Sequence, residues 1–441
     1  MQNKNRVLII GEVYVDVHLD TPSQLSRLGG IFHSVRAMAA LKRPYAIAAI
    51  TPEYLEKDII DYAGKLDANE FSIVGNINRS PNVMLINEPT EANNQGYNDI
   101  LVNQAEPEVR LQDIINLIDS FKPTDLLIYP GKYDFLAVLD IIKNYDCRIH
   151  IDFQYESEEI NKIDENYNIE QIILSTTSKL FSEHSLGNSD NLVKLLKGRT
   201  RNILLKENRG GSRYFSYLSN NWAEAPAFLS DTVHSVGVGD VFNAVLISSN
   251  EEIKTSLKLA SYVSSWYAST FNYNVFVSNV ESLPNLKNLI KNLSGVRISW
   301  EERRNQHIYI AGPDFPHVGT KPIEEVFNSL EYHNFYPHRP IKENGLIDGS
   351  EHEHEQLKVY FTDLELLKKS SLLIAVLIND DPGTYVEIGW MAQSGKPTII
   401  YDPNKKANNL FLIKTATVVC HTLTEVIDAT FNILGERDDV E

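Results

Sequence analysis

Residues 371–402 read SLLIAVLINDDPGTYVEIGWMAQSGKPTIIYD, and the order of textures in this stretch decides the architecture. LLIAVLIN is a short, almost wholly apolar run, which reads as a strand covered on both faces. DDPGT is a turn, since Pro and Gly punctuate regular structure. YVEIGWMAQSGK then reads as a helix and PTIIYD as a second strand. Buried strands joined through a helix make parallel sheets, so the expected fold class is α/β. Within the helix, Glu387 stands alone among Val386, Ile388 and Trp390, neighbours that predict a buried setting where an unpaired carboxylate is costly.

The same texture recurs along the chain. RVLIIGEVYVDV, YAIAAI, DLLIYPG, RIHIDF, QIILS, NILLKE and IYIAGP read as strands, separated by amphipathic segments such as LQDIINLIDSF and FLAVLDIIKNY. At 441 residues the chain exceeds what one hydrophobic core normally supports. A polar, charged stretch, KNLSGVRISWEERRNQ (291–306), marks the break, and two domains are expected, 1–295 and 306–441. The acidic tail ERDDVE reads as a solvated terminus.

Composition narrows the function. The apolar fraction of 43% and charged fraction of 23% suit a soluble globular protein. A formal net charge of −18 argues against nucleic acid or an anionic membrane as partner. No apolar run approaches a membrane span, and the chain opens directly on a strand, so a cytoplasmic location is expected. Cys147 and Cys420 are far apart and lack metal-ligand spacing, and EHEHE (351–355) matches no zinc motif and reads as a solvated polar loop. No metal site is expected.

Three motifs in the second domain occur together: a Tyr within the strand HIYIAGP, an Asp-Leu in TDLELL, and the Asp-x-Gly-x-x-x-Glu-x-Gly of DPGTYVEIG. From residue 306 to about 425 this succession resembles the nucleoside 2-deoxyribosyltransferases and their relatives, the nucleotide N-glycoside hydrolases. The resemblance implies a smaller flavodoxin- or Rossmann-like parallel-sheet domain that needs no cofactor. It also implies Glu387 as nucleophile at the sugar C1′, Asp381 as the carboxylate that binds sugar or orients the nucleophile, Asp363 as the acid exchanging a proton with the base, and Tyr309 as the hydroxyl that positions Glu387. Gly312 and Gly383 would line the substrate. The chemistry is consistent: breaking an N-glycosidic bond builds positive charge on the sugar and negative charge on the base, so an anion and a proton donor are both required. Placed in the first turn of its helix, Glu387 would be favoured in its ionised form. Plainer readings stand beside these: Asp381 as a helix cap, Asp363 as an N-cap for LELLKKS, Tyr309 as core, and Glu387 as surface. Gly319, Thr320 and Lys321 precede a helix and could cradle a 5′-phosphate, and His338 and Arg339 resemble a segment lining the sugar or phosphate side.

In the first domain, HSVGVGDVFNA (234–244) combines a Gly-x-Gly turn with a helix start, a combination that lets backbone N–H groups approach a phosphate. With GEVYVD (11–16), read as ending the first strand in an Asp, and LGG (28–30) before VRAMAAL, this resembles the ribokinase-like (PfkB) sugar kinases over about 290 residues. The resemblance implies a ribokinase-like α/β sandwich, Gly237, Val238 and Gly239 as the anion hole, Asp240 as general base, and Asp16, Gly29 and Gly30 at the sugar. ATP and Mg would be required if the domain is an active kinase. Departures from the pattern stand at His234, where the family has Asp, at Ser34, where it has Asn, and at LLKENRGG, where it has Thr-x-Gly; no magnesium-organising Asn-x-x-Glu is present, and Glu183 is the nearest candidate. Two readings follow, a divergent kinase or a domain that keeps the pocket to bind a ligand, regulate or dimerise; Asp240 as a helix cap is a third. The expected ligands are a nucleoside, a nucleotide or a sugar, and a homo-oligomer is implied by the resemblance of the second domain to the deoxyribosyltransferases and their relatives.

Overall fold

Ten strands of the larger unit form one sheet in the order 221–225, 212–216, 202–206, 169–175, 148–152, 125–128, 7–12, 45–51, 70–76 and 108–109. The strands from 202–206 to 70–76 run parallel, and antiparallel pairs complete both edges. This is a computed structural model describing residues 5–19, 25–78, 82–94, 98–99, 107–154, 158–347 and 350–437. Of the acidic tail, residues 438–441 lie outside the described residues. The larger unit takes in the chain up to Arg297 except 90–94, and the smaller unit comprises 298–436 with 90–94. Among the described residues, no helix is long and apolar enough to cross a membrane.

In the larger unit, the first strand, β1 (Val7–Glu12), is buried at every position, as its near-continuous apolar sequence requires. It stops at Glu12. The chain then enters a small separate sheet through β2 (Val15–His18), which pairs antiparallel with β3 (Ser26–Leu28). Asp16 therefore belongs to the second strand, opposite Arg27, and does not end the first as the GEVYVD pattern suggested. Two breaks in β-pairing at Val13 and Tyr14 redirect the strand, and a run of β-branched residues gives no warning of such a turn. Helix α1 (Phe32–Ala40) follows the glycine pair, and α2 (Val238–Ser248) begins within the Gly-x-Gly, with Gly237 as its N-cap. Both helices contribute Phe32, Val35, Val241 and Val245 to the principal core.

The smaller unit is a five-stranded parallel sheet. Its elements in chain order are β4 (His307–Ala311), α3 (Lys321–Tyr332), β5 (Tyr336–His338), α4 (Glu353–Lys369), β6 (Leu372–Val376), α5 (Pro382–Gln393), β7 (Thr398–Tyr401), β8 (Val418–Cys420) and α6 (Leu423–Leu434). The strand order is β5-β4-β6-β7-β8. The connection thus reverses direction between β4 and β6, and in open parallel sheets that crevice, beyond the carboxyl ends of the strands, is where ligands sit. Tyr309, Leu373, Ala375, Ile388 and Met391 form one core around this pair of strands.

The EHEHE segment is not a loop. Glu353 begins α4, and His352 is its N-cap in a reciprocal capping arrangement with Glu355. Three polar residues that can cap, followed by a helix with few buried positions, leave no apolar period to read.

Candidate active site

Helix α5 owes its start to two residues. Asp381 is the N-cap, its carboxylate accepting from the Thr384 backbone N–H at 2.9 Å and from the Thr384 hydroxyl at 2.6 Å, and Pro382 occupies the first turn, where a missing N–H costs nothing. The capping reading of Asp381 is therefore correct as geometry. Glu387 falls six residues beyond the cap, in the second turn, so the dipole argument made for a first-turn carboxylate does not apply to it. Its neighbours are also less enclosed than the sequence suggested: Ile388 is buried, but Val386 is 70% exposed.

Glu387 itself is half-buried and faces β4, where the Tyr309 hydroxyl donates to Oε1 at 2.6 Å. Burial pushes its pKa up from the ordinary 4.5 to about 7; the Tyr309 hydrogen bond opposes this, while the charges of Asp381 and Asp363 add to it. The carboxyl is thus poised near neutrality and not held ionised, which corrects the expectation from helix position. Tyr309 is 1% exposed, and burial followed by the Glu387 charge drives its own pKa far upward, so it remains a neutral donor. Tyr309 is thus part of the core, and its hydroxyl is the donor that meets Glu387.

Asp363 is the eleventh residue of α4, well inside the helix, and is not an N-cap. Its Oδ1 accepts from Asn344 Nδ2 at 2.6 Å. Partial burial raises its pKa, with Glu343 adding to the effect. Three carboxyls and one phenol from β4, α4, the turn after β6 and α5 therefore act on one another electrostatically. Gly312 serves a tight approach: a Cβ there would lie 3.1 Å from Ile323 Cδ1 and 3.3 Å from the Val376 carbonyl oxygen. Gly383 is exposed at the start of α5, where a Cβ would meet only Asp381, at 3.4 Å.

Sequence reading missed the partners of this group. Asn344 on Asp363 carried no signal. Arg339 forms a bidentate pair with Asp314, at 2.9 and 2.7 Å, and His338 bonds His307 at 2.8 Å and Glu343 at 3.1 Å. The Arg339 fork is thereby occupied by a carboxylate. Lys321, by contrast, extends its side chain to Glu325 at 3.4 Å from an exposed position at the start of α3.

The glycine turn of the larger unit is also closely built. Gly237, at φ +75°, is the N-cap of α2, and Asp240 is the third residue of the helix, so Asp240 does not cap it. The Val238 N–H bonds the Ser235 carbonyl at 3.1 Å. Behind Gly239 lies Lys206, whose ammonium would be 3.1 Å from a Cβ at that glycine and is held by Asp152 at 2.8 Å and Asn243 at 3.3 Å. The departure LLKENRGG was the signal for it. Burial pushes the Asp240 pKa up to about 8, with Asp152 contributing and Lys206 opposing. Asp16, 3% exposed, is spent on His33: the His33 Nε2 to Oδ2 distance is 2.9 Å, and Nδ1 of the same ring meets the Tyr267 hydroxyl at 2.8 Å. The side chain of Asp16 fills the space beside Gly29, where a Cβ would fall 2.1 Å from Oδ1. Gly30, at φ +59°, brings the chain against the Glu12 carbonyl, 2.3 Å from where its own Cβ would be.

Residues 308–424 match the family model described as nucleoside 2-deoxyribosyltransferase. Among solved structures, a fructokinase with bound ATP from Xylella fastidiosa aligns with a TM-score of 0.51 at 13% identity, over 65% of this chain and 99% of that one. A putative ribokinase II in complex with ATP and Mg from E. coli aligns at 0.49 and 14% identity, over 64% and 99% of the two chains. A ribokinase from Giardia lamblia gives 0.49 and 13%, again over 64% and 99%. A search of curated proteins returned no match. The smaller unit therefore carries a nucleoside 2-deoxyribosyltransferase domain, joined in one chain to a unit with the ribokinase fold.

Proposed function

We propose that the smaller unit cleaves or transfers the N-glycosidic bond of a nucleoside or nucleotide, with Glu387 as nucleophile. The observation that carries this reading is the 2.6 Å hydrogen bond from Tyr309 to Glu387 Oε1 beside the reversal point of a parallel sheet. With Oε1 engaged, Oε2 of the ionised carboxylate attacks C1′. The C–N bond breaks as the C–O bond forms, and the proton needed by the departing base comes from Asp363, whose pKa partial burial moves upward. The glycosyl ester is then released by water or by a second base, with its proton returning to Asp363. Asp381 organises the turn that sets the register of α5. Exposed Leu357, Tyr360 and Phe361 on α4 support a homo-oligomer.

The test is incubation with ribo- and deoxyribonucleosides and their 5′-phosphates, with and without a second free base, read by chromatography. Release of base without an acceptor marks hydrolysis, and exchange marks transfer. Absence of both from every substrate defeats the proposal. Because attack needs the ionised form, activity should rise with pH through about 7, where Glu387 loses its proton. Tyr309→Phe removes a donor that favours the ionised carboxylate, so the acid limb of the pH profile should move upward by about one pH unit. An unmoved limb would show that Tyr309 is core alone.

For the larger unit we read ligand binding in preference to phosphoryl transfer. Supporting this are the commitment of Asp16 to His33 and an Asp240 carboxyl that is largely protonated at neutral pH. Phosphorylation of a sugar or nucleoside from ATP, lost in Asp240→Asn, would reverse this reading.

A further inference from the structure

A cavity of about 110 Å³ in the larger unit has two arginines, Arg27 and Arg36, in a wall otherwise made largely of five aromatic rings, among them Tyr62, Tyr267 and Phe271. Arg36 is 5% exposed, and the Arg27 side chain is 11% exposed. Buried guanidiniums normally face carboxylates, because taking an ion out of water is costly unless a counter-charge offsets it. Here the pairing is incomplete. Arg36 donates from Nε to the Tyr62 hydroxyl at 3.0 Å and from Nη2 to the Leu28 carbonyl at 2.7 Å, while its buried Nη1 has no hydrogen-bond partner. Arg27 donates to the Val236 carbonyl at 3.1 Å and approaches the His234 ring at 3.3 Å, and its Nε, also without a partner, stands 4.0 Å from Asp16.

The charge count is what points to a ligand. Among the described residues, Asp16 is a carboxylate that acts on both guanidiniums, and it is already shared with His33. His33 and His234 are neutral near pH 7, because burial lowers the first to about 4 and the second well below its ordinary value. Two buried guanidiniums thus share the Asp16 carboxylate with a histidine. Ring faces compensate only in part: Arg27 lies 5.2 Å from the Phe271 centroid and Arg36 5.3 Å from that of Tyr62. An anion entering the cavity, which both arginines line, completes the count.

We propose that this cavity binds a phosphate group, held by Arg36 and Arg27 between aromatic walls. Two guanidiniums supply positive charge for a phosphate, and the low polarity of the rings strengthens the attraction. The volume suits one such group, and the exposed Asn272 on its lining leaves a way out for the rest of a phosphomonoester. The site is separate from the glycosidic chemistry proposed above and does not depend on it.

Calorimetry on the full chain at constant ionic strength, with inorganic phosphate and with ribose 5-phosphate as probes and chloride as the balancing ion, tests this. One equivalent of phosphate should bind, and Arg36→Met should weaken it at least about tenfold, or ~1.4 kcal/mol. Tighter binding of the ester would identify a sugar phosphate as the occupant, and equal binding the bare phosphate group. Because Arg36 also holds Leu28, a second measurement on the unaltered protein guards against misfolding: phosphate should raise the melting temperature more than chloride at matched ionic strength. No heat with either probe at millimolar concentration, or equal melting shifts with phosphate and chloride, would overturn the proposal.

Discussion

Glu387→Ala is expected to reduce base release by at least about 10³-fold, since removing a covalent nucleophile leaves only binding and electrostatic contributions to the rate. The decisive control is Glu387→Gln, which keeps the shape of the side chain and an oxygen that can accept from Tyr309. The wild-type carboxyl has a folded pKa of about 7 against an ordinary 4.5, so the native state binds the proton more tightly than the unfolded chain does. Relative to the protonated form, stability is fully present below about 4.5 and is lost as pH rises through about 7. Glu387→Gln should therefore be indifferent at low pH and more stable than wild type at pH 8. The gain is at most ~3 kcal/mol, and less in practice because the group is only half-buried. A variant that is inactive yet more stable cannot owe its inactivity to unfolding. Release of base by either variant at the wild-type rate would remove Glu387 from the mechanism; equal stability of the Glu387→Gln variant and the wild-type protein across the pH range would show the carboxyl to be solvated.

Gly237→Ala should be strongly destabilising to the larger unit. The residue sits at φ +75°, and the new Cβ would fall 2.0 Å from Cγ of His33. That ring cannot retreat, being held by Asp16 at 2.9 Å and by the Tyr267 hydroxyl at 2.8 Å. Left-handed strain of ~1–2 kcal/mol and an overpacking cost of similar size combine to about 3 kcal/mol or more. Gly187, at φ +76° with open space around it, supplies a matched comparison: alanine there meets the strain but not the clash. Urea unfolding followed by circular dichroism should give a loss for Gly237→Ala about twofold or more greater than for Gly187→Ala. Similar losses would mean that His33 moves aside.

The two substitutions probe features that are legible in the sequence to different degrees. The Gly-x-Gly turn and the start of α2 can be read from residue types, because only glycine adopts positive φ without penalty and helices begin where such turns end. That the turn presses on a histidine from α1 cannot, since the contact joins residues some two hundred positions apart. Asp240 reads in sequence as a base or a cap; its place as third helical residue excludes the cap, and its pKa of about 8 comes from burial near Asp152. Asp363 and EHEHE mislead for one reason. Helix α4 has a single buried residue, Leu367, so the apolar period that announces a helix is missing and the sequence pattern places its start too late.

By itself the sequence determined the class of fold and the residues to suspect: apolar runs of strand length, punctuated by Pro and Gly and alternating with amphipathic segments, are local signals, and a lone carboxylate among apolar neighbours stands out within a few positions. Only the tertiary structure decided what those residues are able to do. The ionisation of Glu387 depends on a hydroxyl 78 residues away and on how much water the fold excludes; the engagement of Asp16 depends on a histidine brought against it by two glycine turns; the unbalanced charge of Arg27 and Arg36 exists only because packing has removed them from solvent. Desolvation and long-range hydrogen bonding are properties of the packed chain, and the order of residues carries no direct record of either.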